Sequence, residues 1–284
     1  MLNLRLRPEE NAALKLRSLY ENYGYSFYRM SRFEEYDFYA DKKDFLTSKN
    51  ILTFTDTNGK LMALRPDVTL SIIKHIKNSE SVQKFYYDEK VYRVPKNAGT
   101  FREISQAGVE CVGSLTDENI REILELALLS LKTLADGKKY ILDVADAGII
   151  AELLKENSNK KEILKCIAAK NIHGLKNFNA PEKIIDLMKI DGSIKNSLNE
   201  IDSSTAEIIN SLENYHGEIK IDFSAVNNLN YYNGIVFRGF IEGIPESILS
   251  GGQYDGLMNL MGKKNSRAVG FAVYLDLVRS VKNA

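Results

Sequence analysis

The stretch from Lys84 to Gly113 limits what this chain can fold into more than any other. Two segments of alternating character, KFYYDEKVYRV and FREISQAGVECVG, flank a loop of Pro, Asn and Gly, PKNAGT, which predicts a β-hairpin with a long tip. Successive strand side chains point to opposite faces. Arg102, Ile104, Gln106, Gly108 and Glu110 therefore share one face, and Phe101, Ala107, Val109 and Cys111 the other. The second face is apolar and can pack on a core. The first offers a cation, an amide and a carboxylate over roughly 26 Å at ~3.3 Å per residue, and Gly108 leaves the backbone open to a ligand. Arginine can hold a carboxylate with two donors, and Glu or Gln can receive an ammonium group, so the face suits a small zwitterion. An ordinary solvated sheet face fits the same pattern.

A chain of 284 residues with 44% hydrophobic content can bury a large core in one main domain with a helical insertion. Lys+Arg and Asp+Glu both total 38, so the net charge gives no pull toward nucleic acid and tRNA is not expected as a partner. Two cysteines, Cys111 and Cys166, form neither a zinc pattern nor a disulfide framework and read as buried apolar residues, and no metal site is expected. The opening MLNLRLRPEEN has no apolar signal core and no run approaches ~18 apolar residues, so a soluble, cytoplasmic protein without membrane contact is expected.

Along the chain, Pro8-Glu9-Glu10 opens a helix that runs to Gly24. Tyr25–Met30 reads as a strand and Phe33–Lys49 as a loop with short turns. Asn50–Thr55 and Lys60–Leu64 flank Asn58-Gly59, a strong hairpin signal because both residues accept positive φ. Pro66 stands where a helix begins, with Asp67 and Thr69 in its first turn, and a capping role alone accounts for both. Thr116 opens a long helix, Asp117–Ala135, whose apolar stripe is core. Tyr140–Val144 reads as a strand and Ile149–Glu156 as the start of a helix. Between 158 and 216 strand signals vanish and helical periods dominate, which marks an insertion. His75, His173 and His216 lack acid–base partners and read as structural or surface residues. Strands return at Glu218–Val226, at Tyr231–Ile241 as a hairpin bent around Gly234, and at Arg267–Ala272 before a final helix, Val273–Val281. The glycine pair in SGGQYD reads as a tight turn or as a close approach of ligand to backbone. The sum is an α+β fold with a mostly antiparallel sheet flanked by helices.

Five segments in order, LMALRPDVT (61–69), VYRVPKNAGTFREISQAGVECVG (91–113), NLNYYNGIVFRGF (228–240), SGGQYD (250–255) and AVGFAVYLDLV (268–278), resemble the signature segments of the histidyl-tRNA synthetase catalytic domain. The resemblance implies a class II aminoacyl-tRNA synthetase-like fold built from residues 1–157 and 217–284, with 158–216 as the helical insertion. The first helix through Tyr28 resembles the family's dimer motif, although Ser31 stands where that motif usually has proline. The implied histidine pocket comprises Asp67 and Thr69, in place of the family's Glu and Thr, with Arg93, Gln106, Glu110, Tyr231, Tyr232, Gly251 and Gly252. The acids would meet the ammonium group, Arg93 the carboxylate side, and the tyrosines the ring.

The residues that handle nucleotide in the family do not match. Thr100 stands where synthetases have an arginine, Asn227 replaces the arginine of RGLDYY, and Asp276-Leu277 replaces a Glu-Arg pair. Those arginines neutralise phosphate charge, so their loss implies no catalytic residues and no synthetase activity. The sequence stops after the last of these motifs, so no anticodon-binding domain is expected. A synthetase-like chain of this kind resembles the regulatory subunit of ATP phosphoribosyltransferase. That implies a homodimer inside a hetero-oligomer with the short-form catalytic subunit, histidine as feedback ligand, and no cofactor. Two other readings stay open: a synthetase paralogue that charges histidine onto a non-tRNA acceptor, and a free-standing amino-acid-binding module.

Overall fold

The computed structural model describes residues 6–46, 50–76, 81–94, 99–190, 192–226 and 228–283. The tip of the 84–113 hairpin (95–98), residues 47–49 and Asn227 lie outside those residues. Eleven strands are described: β1 Ser26–Phe27, β2 Phe33–Glu35, β3 Thr53–Thr55, β4 Leu61–Leu64, β5 Gln83–Arg93, β6 Arg102–Gly113, β7 Tyr140–Asp146, β8 Ile219–Ile221, β9 Ile235–Ile241, β10 Leu249–Gln253 and β11 Arg267–Tyr274. Eight of them form one sheet in the order β1-β5-β6-β11-β10-β9-β7-β8, and β2-β4-β3 form a second. The five central pairings of the large sheet are antiparallel and the two edge pairings, β1 with β5 and β7 with β8, are parallel. The α+β, class II synthetase-like architecture is thus present.

Both strands of the hairpin form where the alternation places them. Their register pairs Arg93 with Arg102, Tyr87 with Gly108 and Phe85 with Glu110. The odd residues Ala107, Val109 and Cys111 are buried in the larger apolar cluster, against helices α1 (Pro8–Asn22) and α4 (Asp117–Ala135). Helix α4 begins where Thr116 predicts it, with Asn119 Oδ1 accepting from the Thr116 N–H at 3.0 Å, and buries its stripe of Ile and Leu. On the opposite face a smaller cluster joins Val91, Tyr87 and Val112 to Leu70, Ile72 and Ile73 of helix α3 (Val68–His75). Both cysteines are buried and free.

Several expectations change. The 33–49 segment is not only loop. Its Phe33–Glu35 pairs with β4 and is followed by a helix, Tyr36–Ala40, because the partner strand satisfies a backbone that shows no period of its own. The Asn58-Gly59 turn has positive φ at Gly59 alone, +81°, and Asp56 Oδ1 accepts from the N–H groups of Asn58 and Lys60, both at 2.8 Å. Tyr231–Ile241 is not a hairpin. Tyr232 N donates to Asn228 O in a turn, and a single strand starts at Ile235. Strand β8 spans only Ile219–Ile221, since Asp222 then caps a tight turn by accepting from Ser224 N. The glycine pair lies inside strand β10, not in a turn. Between β7 and β8, the described residues form short helices such as Lys160–Ala168 and Ser203–Asn210, and no strand; their apolar residues Ile163, Leu175, Ile184 and Ile209 join the larger cluster.

Candidate functional site

The floor of the site is two rows of directly opposed residues, which share a face of the sheet. Glu110, Gly270, Gly252 and Val236 form one row across β6, β11, β10 and β9. Gly108, Ala272, Ser250 and Arg238 form the next. Above them, the start of α3, the Tyr231-Tyr232 turn and Tyr254 enclose a cavity of about 330 Å³. Asp67, Thr69, Arg93, Gln106, Glu110, Tyr231, Tyr232 and Gly251 all line it. Gly252 is not a lining residue, but a β-carbon there would stand 2.7 Å from the Tyr232 ring, so its bareness seats that ring. The missing side chain of Gly251 points the other way, toward Phe271 and Phe237.

Glu110 is the centre of the polar network. Thr69 Oγ1 donates to its Oε1 at 2.6 Å, and the Tyr254 hydroxyl donates to Oε2. The side chain is 2% exposed and has no cationic partner among the described residues. Burial therefore pushes its pKa up to about 8, with the Asp67 charge adding to the rise and the two hydroxyl donors opposing it. Asp67 performs two tasks. Its Oδ1 caps α3 by accepting from Leu70 N at 3.0 Å, and its Oδ2 faces Arg93 Nη2 at 3.4 Å. The capping role anticipated from sequence is thus real and does not exhaust the residue.

Arg93 is committed to the scaffold as well as to the cavity. Its Nε donates to Pro66 O at 2.6 Å, which ties the hairpin to the loop before α3. Tyr231 and Tyr232 stack edge to face with centroids 4.9 Å apart, and Tyr231 lies 5.8 Å from Tyr254. The three rings form an aromatic wall. The space above Gly108 is filled: a β-carbon would stand 2.5 Å from the Tyr87 hydroxyl, so a cross-strand ring occupies the room expected for ligand. Arg102, at the far end of the same face, is exposed.

Sequence reasoning missed Tyr254, Gly270 and Arg238. Tyr254 and Gly270 belong to the quoted segments SGGQYD and AVGF, and a carboxylate on one strand opposite a glycine on its neighbour is the signal that could have found the second. Arg238 is a charged residue within an otherwise apolar strand, IVFRGFI. The described positions that replace arginines supply no cation: Thr100 is exposed, Asp276 Oδ2 accepts from Ser105 N at 3.0 Å, and Leu277 packs on the larger cluster. Chemically, the Glu110 end can hold a cationic nitrogen against a buried carboxylate beside aromatic rings.

A family model for histidyl-tRNA synthetase matches residues 2–278. The chain belongs to the histidyl-tRNA synthetase family. Within it, the ATP phosphoribosyltransferase regulatory subunit of Oceanobacillus iheyensis is 28% identical over 94% of this chain and 72% of that protein. The histidine–tRNA ligase of Methanococcus maripaludis is 27% identical over 96% of this chain and 72% of that protein. Two solved structures share the fold. One is an ATP phosphoribosyltransferase regulatory subunit/histidyl-tRNA synthetase from Bacillus halodurans, with TM-score 0.80 and 21% identity over 98% of this chain and 79% of that one. The other belongs to the ATP phosphoribosyl transferase (HisG:HisZ) complex of Thermotoga maritima, with TM-score 0.75 and 18% identity over 96% and 98%. No helix among the described residues is long and apolar enough to cross a membrane.

Proposed function

We propose that this chain is a non-catalytic regulatory subunit of ATP phosphoribosyltransferase, acting in histidine biosynthesis as activator of the short catalytic subunit and as histidine sensor. The observation that carries the reading is Glu110: a buried carboxylate with two hydroxyl donors and, among the described residues, no cation, facing a cavity of amino-acid size beside three tyrosine rings. The ammonium group of histidine would supply the missing positive charge, with Asp67 nearby and Tyr231 and Tyr232 along the imidazole. The regulatory half of the reading is supported by relatives that bear that name over most of their length and by the neighbour seen in a HisG:HisZ complex. The loss of activating chemistry is supported by Thr100 and Leu277, which offer no charge to a phosphate.

In this reading, residues 1–157 and 217–284 form the synthetase-like body and 158–216 a helical insertion. A homodimer of the chain presents paired surfaces to catalytic subunits in the cytoplasm. Histidine shifts the assembly by binding one arrangement better than another, since only differential affinity moves such an equilibrium. Calorimetry with histidine on the wild type and on Glu110→Ala tests the pocket, with equal binding by both excluding Glu110. Mass measurement of a mixture with the catalytic subunit, with and without histidine, tests the partnership.

Relatives of nearly equal identity named histidine–tRNA ligase favour a second reading, a histidine-activating paralogue that serves a non-tRNA acceptor. Pyrophosphate exchange with histidine and ATP separates the two: robust exchange excludes the regulatory reading.

A further inference from the structure

The cavity has a second end that the amino-acid pocket does not use. Arg238 on β9 lines it together with Ser250, Asn228 and Tyr274. Its Nη2 donates to Ser224 Oγ at 3.0 Å, whereas its Nε is buried and has no hydrogen-bond partner. A buried donor on a charged group is costly to leave unpaired, so this orphan calls for an acceptor. The nearest acids do not provide one. Asp143 opposes Arg238 across the β7–β9 pairing and Asp222 lies close enough to influence its charge, yet neither forms an ion pair with it and neither lines the cavity. Asp222 is held by Lys170 at 2.6 Å instead.

The lining at this end consists of donors. The guanidinium stands opposite Ser250 in the sheet, the Ser250 and Tyr274 hydroxyls share a hydrogen bond of 2.9 Å, and the Asn228 amide completes the wall. The cavity's two lining carboxylates, Asp67 and Glu110, belong to the other end. Glu110 and Arg238 stand on strands separated by β11 and β10, about 14 Å apart at the usual strand spacing, so an ammonium group on Glu110 leaves the Arg238 end to a different group. A planar carboxylate is satisfied by the guanidinium fork alone, while a tetrahedral oxyanion also uses the surrounding hydroxyls and amide.

We propose that Arg238, with Ser250, Tyr274 and Asn228, forms a phosphate-binding subsite at the β9 end of the cavity. The subsite takes free phosphate or the phosphate end of a small ester, and it does not depend on what the Glu110 end holds. Calorimetry with inorganic phosphate, glycerol 3-phosphate and acetate on the full chain tests it. The wild type is expected to bind phosphate at millimolar concentration or below and acetate far more weakly, with tighter binding of the ester identifying an organic source. Arg238→Gln, checked for folding by circular dichroism, should weaken phosphate by about tenfold or more, while histidine binding stays within about twofold. Arg121→Gln on α4, away from the cavity, should bind phosphate as the wild type does. If Arg238→Gln fails to fold, Ser250→Ala replaces it and should weaken phosphate by about threefold or more. No phosphate binding by the wild type, equal binding by Arg238→Gln or by Ser250→Ala, or acetate binding as tight as phosphate each overturns the proposal.

Discussion

A β-carbon on Gly270 would stand 1.9 Å from Glu110 Oε2, so the carboxylate lies directly over the bare backbone of β11. The two residues oppose each other in register, and the glycine is what lets Glu110 turn inward across the floor of the cavity. Gly270→Ala should therefore displace the carboxylate. We expect a loss of about 1–3 kcal/mol in urea unfolding from overpacking, together with loss of histidine binding by calorimetry. A variant as stable and as competent as the wild type would show that Glu110 works from another rotamer.

Glu110 makes stability depend on pH in a definite direction. Its value in the folded chain, about 8, stands above the ordinary 4.5, so between those values the folded state keeps a proton that the unfolded state releases. The contribution of this group is fully present below about pH 4.5 and is lost as pH rises toward and through about pH 8. Urea midpoints of the wild type and Glu110→Gln, followed from pH 5 to pH 9, should diverge toward high pH, because the substituted amide has no proton to lose. Parallel curves would mean that Glu110 does not titrate in that window.

The same proton bears on ligand binding. An ammonium group favours the ionised carboxylate, so histidine binding near pH 7 should release a proton from the site. Calorimetry in two buffers of different ionisation enthalpy should give different apparent heats. In Glu110→Gln that difference should vanish and affinity should fall by about 10- to 100-fold.

Arg93 is expected to act on the scaffold more than on the ligand's carboxylate. It holds Pro66 O and faces Asp67, and all three are buried. Arg93→Met strands the Asp67 charge and should cost on the order of 3–5 kcal/mol in denaturant unfolding. Arg102→Met, at the exposed end of the hairpin, should stay within about 0.5 kcal/mol of the wild type. If Arg93→Met keeps its stability and loses only histidine affinity, the direct role is restored.

The hairpin, α4 and the polar face of β6 were legible in the sequence because strand alternation and helix periodicity are local signals. Gln106 and Glu110 could be assigned to one face from spacing alone. Phe33–Glu35 was not legible, because its strand character comes from pairing with β4 and not from its own pattern. The Tyr231-Tyr232 turn was read as strand since both residues favour β-structure, whereas the stacked rings and the cavity they line decide the outcome. Gly108 was read as space for a ligand because a sequence does not reveal that Tyr87 lies across from it. Gly270 and Arg238 matter only through neighbours more than ten residues away, so no local pattern marks them.

The sheet order has a consequence for when the pocket comes into being. Strand β11, last of the strands in sequence, is inserted between β6 and β10 in the middle of the sheet. A chain cut before Arg267 holds two partial sheets, each with an unpaired edge open to the wrong neighbour. During synthesis the halves that carry Glu110 and Arg238 remain unjoined until β11 emerges and stitches them together. The cavity is therefore a checkpoint on completion: a polypeptide able to recognise a ligand here is one whose sheet has already closed.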